Sequence, residues 1–198
     1  LAEAALLTPL LEAAARLQVV PLIREASAAI EARLSPESAV DAWALADALQ
    51  LPDLERAAKA ATSRGFEEVA AGDALLRLPH ARLCTLLADD KLRVRCESSV
   101  FEAVCRWAGA VEPAPEAVTA LLAHVRFPLM PGPFLQQRVM AEPLMQPAER
   151  LRVLSQAFVD KQAGTQTAMA RQRVGMGCVY VIGGRNDDDD ELNSVEIF

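Results

Sequence analysis

Val179-Tyr180-Val181-Ile182-Gly183-Gly184 is a short β-branched and aromatic run closed by a glycine pair. Leu192-Asn193-Ser194-Val195-Glu196-Ile197-Phe198 is a second strand-like run, with Asp187-Asp188-Asp189-Asp190-Glu191 between the two. A strand, two glycines, a polar turn and another strand predict part of an antiparallel blade. Upstream of Val179 the language is helical. The expected fold is therefore mainly α, with packed antiparallel helices feeding into an incomplete β-blade.

Proline marks where the helices are expected to begin. Pro9, Pro36, Pro52, Pro79, Pro115, Pro133 and Pro147 each precede an apolar periodic stretch. The first helical turn suits proline because its missing N–H would have no intrahelical partner there. Ser35 is a good N-cap, with Glu37 placed to favour the positive end of the helix. Gly65, Gly109 and Gly164 are expected helix ends. Val100, Phe101, Val104, Trp107 and Ala108 form one broad apolar stripe, with Glu102 and Arg106 on the opposite side. Gln162 to Arg173 has no periodicity and reads as a linker.

Composition narrows the function classes. At 52% hydrophobic and 24% charged, the chain has the balance of a folded globular protein rather than a disordered one. A net charge of −7 argues against non-specific nucleic-acid binding, which needs a basic surface. Cys84, Cys96, Cys105 and Cys178 show no Cys-x-x-Cys spacing and read as reduced, intracellular thiols, which places the protein in the cytoplasm. No apolar run approaches the ~18 residues needed to span a bilayer, so no membrane partner is expected. The chain is expected to be a piece of a longer protein, because it opens on Leu1 and closes within a strand.

No catalytic, cofactor or metal site is read from the sequence. His80 follows Pro79 at a helix start and His124 lies near a helix end, where the helix dipole favours it, so both read as structural. The acidic run lacks the alternating ligands and spaced glycine of a calcium loop and reads as a solvated turn. Gly183-Gly184 lacks the pattern of a nucleotide loop and is assigned a backbone role. Trp43, flanked by Ala42 and Ala44, is expected to be partly exposed and so a candidate interface anchor. Arginines neighbour Cys96 and Cys105 in sequence, which leaves a sensor role open, although Cys105 is expected to pack beside the Val104/Trp107 stripe.

An ordered series of segments resembles one family. Leu10 to Val19, Asp41-Ala42-Trp43-Ala44-Leu45-Ala46-Asp47 through Leu54, Phe66 to Val69 and Leu75 to Pro79 come first. Leu86 to Val94, Glu97, Val100 to Val104 with Trp107, and Val125 to Met130 follow, then the paired glycines and Asn193-Ser194-Val195-Glu196. In this order they resemble the BTB-BACK-Kelch proteins. The resemblance divides the chain into the closing helices of a BTB domain (1–34), a BACK-type helical domain with its 3-box (35–161), a linker (162–173) and part of a first Kelch motif, an incomplete β-propeller blade (174–198). Two small cysteines usual near the BTB–BACK junction are Ala26 and Ala39 here.

What the resemblance implies is a non-enzymatic adaptor. The BTB part would dimerise and hold a cullin-type scaffold, the 3-box would extend that contact, and the propeller would capture a protein substrate for ubiquitin transfer. The helical body would then be a rigid spacer. The implied cullin-contact region includes Trp43, Leu45, Leu49 and Leu54, and the Kelch motif includes Gly183 and Gly184. Two other readings stay open: an actin-associated cytoskeletal Kelch protein, and an adaptor that senses electrophiles through its cysteines.

Overall fold

The computed structural model describes residues 2–163 and 171–173, and the backbone of 180–182 and 195–197. Helices α1 (Ala2–Arg16) and α2 (Val20–Glu31) form one hairpin, and α3 (Pro36–Ala48) and α4 (Pro52–Arg64) a second. There follow α5 (Phe66–Ala71), a 3-10 turn (Asp73–Arg77), α6 (His80–Ala88), α7 (Glu97–Val111) and α8 (Pro115–Leu122). After 3-10 and π turns around the short α9 (Gly132–Phe134), α10 (Ala148–Gln162) closes the body.

The two hairpins turn by the same chemistry. After α1 the Val19 N–H donates to Ala14 O at 3.0 Å and Gln18 N–H to Ala15 O at 3.1 Å. After α3 the Leu51 N–H donates to Ala46 O at 2.8 Å and Gln50 N–H to Asp47 O at 3.1 Å. Both are Schellman turns, which satisfy the last carbonyls through a residue in the left-handed region. That residue is Gln in each, at φ 57° for Gln18 and 56° for Gln50. Pro21 and Pro52 then sit in the first turn of the next helix, where φ is already right for it.

Several expected helix boundaries hold and others move. Ser35 caps α3 with Glu37 in the first turn, and Ser38 Oγ accepts the Ser35 N–H at 3.0 Å, which makes the cap reciprocal. Gly65 ends α4. A Cβ there would come within 2.3 Å of the Pro36 ring, so packing against the start of α3 demands glycine. Pro9 starts nothing: α1 runs through it, carried by Ala- and Leu-rich flanks at the cost of a ladder bond. Gly109 lies inside α7, which ends instead at Glu112 with φ 49°. Gly164 and residues 164–170 of the expected linker lie outside the described residues.

The main core joins α3 to α10. Val100, Phe101, Val104 and Trp107 of α7 are its centre, each no more than 2% exposed. Phe101 meets Phe127 and Phe134 edge-on, with ring centroids 6.1 Å away in each case. Trp107 donates its indole N–H to Leu78 O at 2.9 Å, so the largest side chain in the core is also polar-satisfied. A smaller core of Leu11, Ala26, Ala46 and Leu54 binds the first hairpin to the second, and Ile30 packs against both clusters. In the tail, β1 (Tyr180–Ile182) pairs antiparallel with β2 (Val195–Ile197), Val181 opposite Glu196. Gly183, Gly184, the acidic run and the rest of the expected blade lie outside the described residues.

Two substitutions in α7 test this packing in opposite directions. Trp107→Ala empties a buried site and strands the Leu78 carbonyl; thermal unfolding should show a loss of about 3–5 kcal/mol. Gly109→Ala meets nothing within 4 Å at a helical position, and should raise stability by about 0.4–1 kcal/mol in the same measurement. A neutral result for Trp107→Ala contradicts the core assignment, and a destabilising Gly109→Ala contradicts the position of the helix end.

Candidate functional site

The four residues of the expected contact region lie on the α3–α4 hairpin, but they do not share one surface. Trp43 is 3% exposed, which corrects the expectation of partial exposure. Its neighbours along the helix say little about its own direction, and it points inward, under Arg82. The Arg82 guanidinium lies 5.4 Å from the indole centroid and is itself held by Asp47 at 2.8 Å. The indole N–H donates to Glu55 Oε1 at 3.3 Å. Leu54 is buried in the small core, while Leu45 and Leu49 are half-buried at its edge.

Leu45 opens onto a groove between the hairpins that it shares with Leu7, Ile30, Leu34 and Ala42. Around the first hairpin Leu6 (66% exposed), Leu17 (73%) and Val20 (56%) stand largely in solvent. Single exposed leucines are ordinary, and Leu17 and Val20 lie at the α1–α2 turn, outside the lining of the groove at Leu45. Sequence reasoning missed these residues because it took the first hairpin only as a domain remnant.

Two of the thiols, Cys84 and Cys105, lack the character a sensor needs. Burial pushes the Cys105 thiol up to about 12, with the Glu142 carboxylate adding to it. Burial also raises Cys84, whose Sγ lies 3.3 Å from His80 Nε2. A reactive cysteine needs the opposite shift. The sensor reading is thus corrected for Cys105: its neighbour in sequence, Arg106, is turned to the Ala70 and Gly72 carbonyls, and burial outweighs the cation that does approach, Arg138. Cys96 lies beside Ser99, Sγ to Oγ 3.3 Å, and Cys178 lies outside the described residues. Among the described residues no three of His, Cys, Asp and Glu are grouped to hold a metal ion.

The densest polar cluster was not legible as a site at all. Glu97, the first residue of α7, is 1% exposed, and Arg173, from the expected linker, is 2% exposed. Arg173 Nε donates to Glu97 Oε2 at 3.0 Å and Nη2 to Glu97 Oε1 at 3.1 Å, a bidentate fork. Its remaining N–H groups donate to Leu87 O (2.8 Å), Asp89 O (3.1 Å) and His124 O (2.9 Å). All five donors are used. Glu97 Oε1 also accepts the Arg126 backbone N–H at 2.9 Å. Arg126 in turn donates to Arg171 O and to Asp90, which Arg171 approaches from outside at 3.3 Å.

This clasp fixes residues 171–173 against the ends of α6, α7 and α8. Its charges shape the neighbours. Hydrogen bonding from Arg126 holds the Asp90 carboxyl below its usual range. Burial, with Arg173 close by, lowers His124 and keeps its ring neutral. The native state therefore binds fewer protons at His124 than the unfolded chain, and stability falls as pH drops below the ordinary imidazole value of 6.5. Thermal midpoints should decline between about pH 7 and pH 5, the window of histidine titration. His124→Asn, which leaves the carbonyl that holds Arg173 in place, should flatten that decline. An unchanged pH profile in the variant would show that His124 is not held neutral.

Comparison with known proteins agrees with this architecture. The family model described as BACK, BTB And C-terminal Kelch, matches residues 39–140, just over half of the chain. Kelch-like protein 3 of Homo sapiens and of Bos taurus is 35% identical over 137 residues, which is 69% of this chain and 23% of the relative. Kelch-like protein 7 of Rattus norvegicus is 34% identical over 138 residues, 69% of this chain and 24% of the relative. The chain thus spans about a quarter of the length of these relatives. The buried stripe of α7, the helix order and the match over 39–140 lead to one conclusion: the chain belongs to the BTB-BACK-Kelch family, with its BACK domain in the helical body.

Proposed function

We propose that this chain is the spacer region of a substrate adaptor for a cullin-RING ubiquitin ligase of the cullin-three type. The observation that carries the reading is the clasp at Arg173. It ties the chain beyond α10 to the starts and ends of three helices, so the body transmits position along its length. A spacer needs that property, and it needs no catalytic group. The buried polar side chains of Glu97, Arg126 and Arg173 are consumed by structural bonds. Family membership supports the adaptor reading and its non-enzymatic character.

In this reading a scaffold contact extends onto the two hairpins. Leu45 and Leu49 supply accessible apolar surface, whereas Trp43 and Leu54 act from beneath by holding α3 and α4 together. Upstream sequence would supply dimerisation and most of the scaffold surface, and a downstream propeller would hold the protein substrate. No helix among the described residues is long and apolar enough to cross a membrane, and we place the adaptor in the cytoplasm.

The test is co-purification with a cullin-three-type scaffold. The chain alone should bind weakly or not at all, and the protein with its upstream sequence should bind. Leu45→Asp with Leu49→Asp, in that longer protein, should weaken the complex by about tenfold or more. Trp43→Ala is a poor probe because it disturbs the fold. Tight binding by the chain alone, or a longer protein that pulls down actin and no cullin, would overturn the proposal.

A further inference from the structure

Although the chain carries a net charge of −7, five of its cations line one groove. On α4 the positions Arg56, Ala60 and Arg64 follow one another at i, i+4 and i+8 and are exposed, with Lys59 and Ser63 beside them. The segment after α6 runs alongside and is pinned there. The Arg93 N–H donates to Ser63 O at 3.1 Å, and Ser63 Oγ donates to Lys91 O at 3.3 Å. Lys91 and Arg93 are thereby held against α4. Between them runs a groove lined by Arg56, Lys59, Arg64, Lys91 and Arg93, with a floor of small residues at Ala60 and Ser63.

Only one carboxylate, Asp89, lines this groove, and it is engaged by the Lys91 N–H at 2.9 Å and Lys59 at 3.8 Å. Arg56 has Asp53 at 3.0 Å, on an exposed pair that contributes little. Arg64, Lys91 and Arg93 have no carboxylate within 4 Å among the described residues. A second depression continues the first, sharing Arg64 and Arg93 and ending at Arg95, Glu67 and Glu68. Glu67 is paired there with Arg95 at 2.7 Å. Holding like charges side by side is unfavourable, and a ligand of opposite sign would relieve it.

We propose that this groove docks an acidic peptide segment of a partner protein. An extended strand rises about 3.3 Å per residue and places alternate side chains about 6–7 Å apart on one face. Carboxylates along such a strand can pair with Arg64 and Arg93, which line both depressions and whose planar forks bind carboxylates in bidentate fashion. The trough over Ala60 and Ser63 leaves room for a peptide backbone. A nucleic-acid strand suits the surface less well. Its charges are continuous, and it would run from the groove onto Asp53, Glu67 and Glu68 and then over a protein of net negative charge. The site is separate from the apolar groove at Leu45 and does not depend on the ligase reading.

The experiment measures fluorescence anisotropy of a labelled peptide, roughly twelve residues of alternating Glu and Ser, against the full chain. Saturable binding should appear near 50 mM salt and weaken steeply toward about 300 mM, as screening requires. Arg64→Glu with Arg93→Glu should weaken it by about tenfold or more, and Arg64→Ala with Arg93→Ala by less. Arg64→Lys with Arg93→Lys should fall between, because charge remains and the fork is lost. Helical content and melting temperature should not move, since both side chains are exposed. Equal binding of a control peptide with Gln in place of every Glu, binding unchanged in the charge-reversed variant, or tighter binding of a labelled oligonucleotide would each overturn the proposal.

Discussion

The ion pair between Glu97 and Arg173 is the constraint on which the far end of the body depends. Taking a carboxylate and a guanidinium out of water costs several kcal/mol each, and their attraction offsets this only when the leftover donors and acceptors are satisfied. Here they are. Every N–H of Arg173 has an oxygen, and Glu97 also receives the Arg126 backbone. Removal of the cation would leave a carboxylate buried without compensation, a loss of about 3–5 kcal/mol. It would also free three backbone carbonyls at the ends of α6 and α8. The pair therefore does less for total stability than for uniqueness: only one placement of residues 171–173 satisfies so many groups together.

At the other end, rigidity has a different origin. The first hairpin is bound to the second through a small apolar core and through Ile30, which touches both clusters. The Schellman turns set each hairpin's geometry by closing the helix ends with backbone bonds, to which the Gln50 side-chain amide adds one to Asp47 O at 2.9 Å in the second. The joints of the two hairpins are thus closed without long polar networks. The polar network is reserved for the place where irregular chain must be held.

Much of this was legible from periodicity and proline. Val100, Phe101, Val104 and Trp107 lie where a 3.6-residue period puts them, because burial follows the stripe directly. Pro36, Pro52 and Pro115 begin helices for a local reason that needs no tertiary knowledge. The failures share a cause as well. Glycine is the expected helix end, but Gln18, Gln50 and Glu112 take the left-handed conformation; at the first two the paired Schellman bonds offset the cost to a side chain, while at Glu112, which precedes Pro113, the N–H donates only to Ala108 O at 3.0 Å. Trp43 was misplaced because its cover, Arg82, comes from 39 residues away and no local pattern links them. Arg173 was read as linker for the same reason: its partners lie 49 to 86 residues upstream.

The clasp also changes what counts as one heritable piece. By helices alone the body ends at Gln162, and an exchange between relatives made there would look clean. Yet the incoming neighbour would then have to bring its own arginine, at the right distance beyond the last helix, to meet a glutamate it had never faced. A recombination joint after residue 173 carries lock and key together; a joint at 163 separates them. The module that shuffling could move intact therefore extends past its last helix, and its true edge is a side chain rather than a secondary-structure boundary.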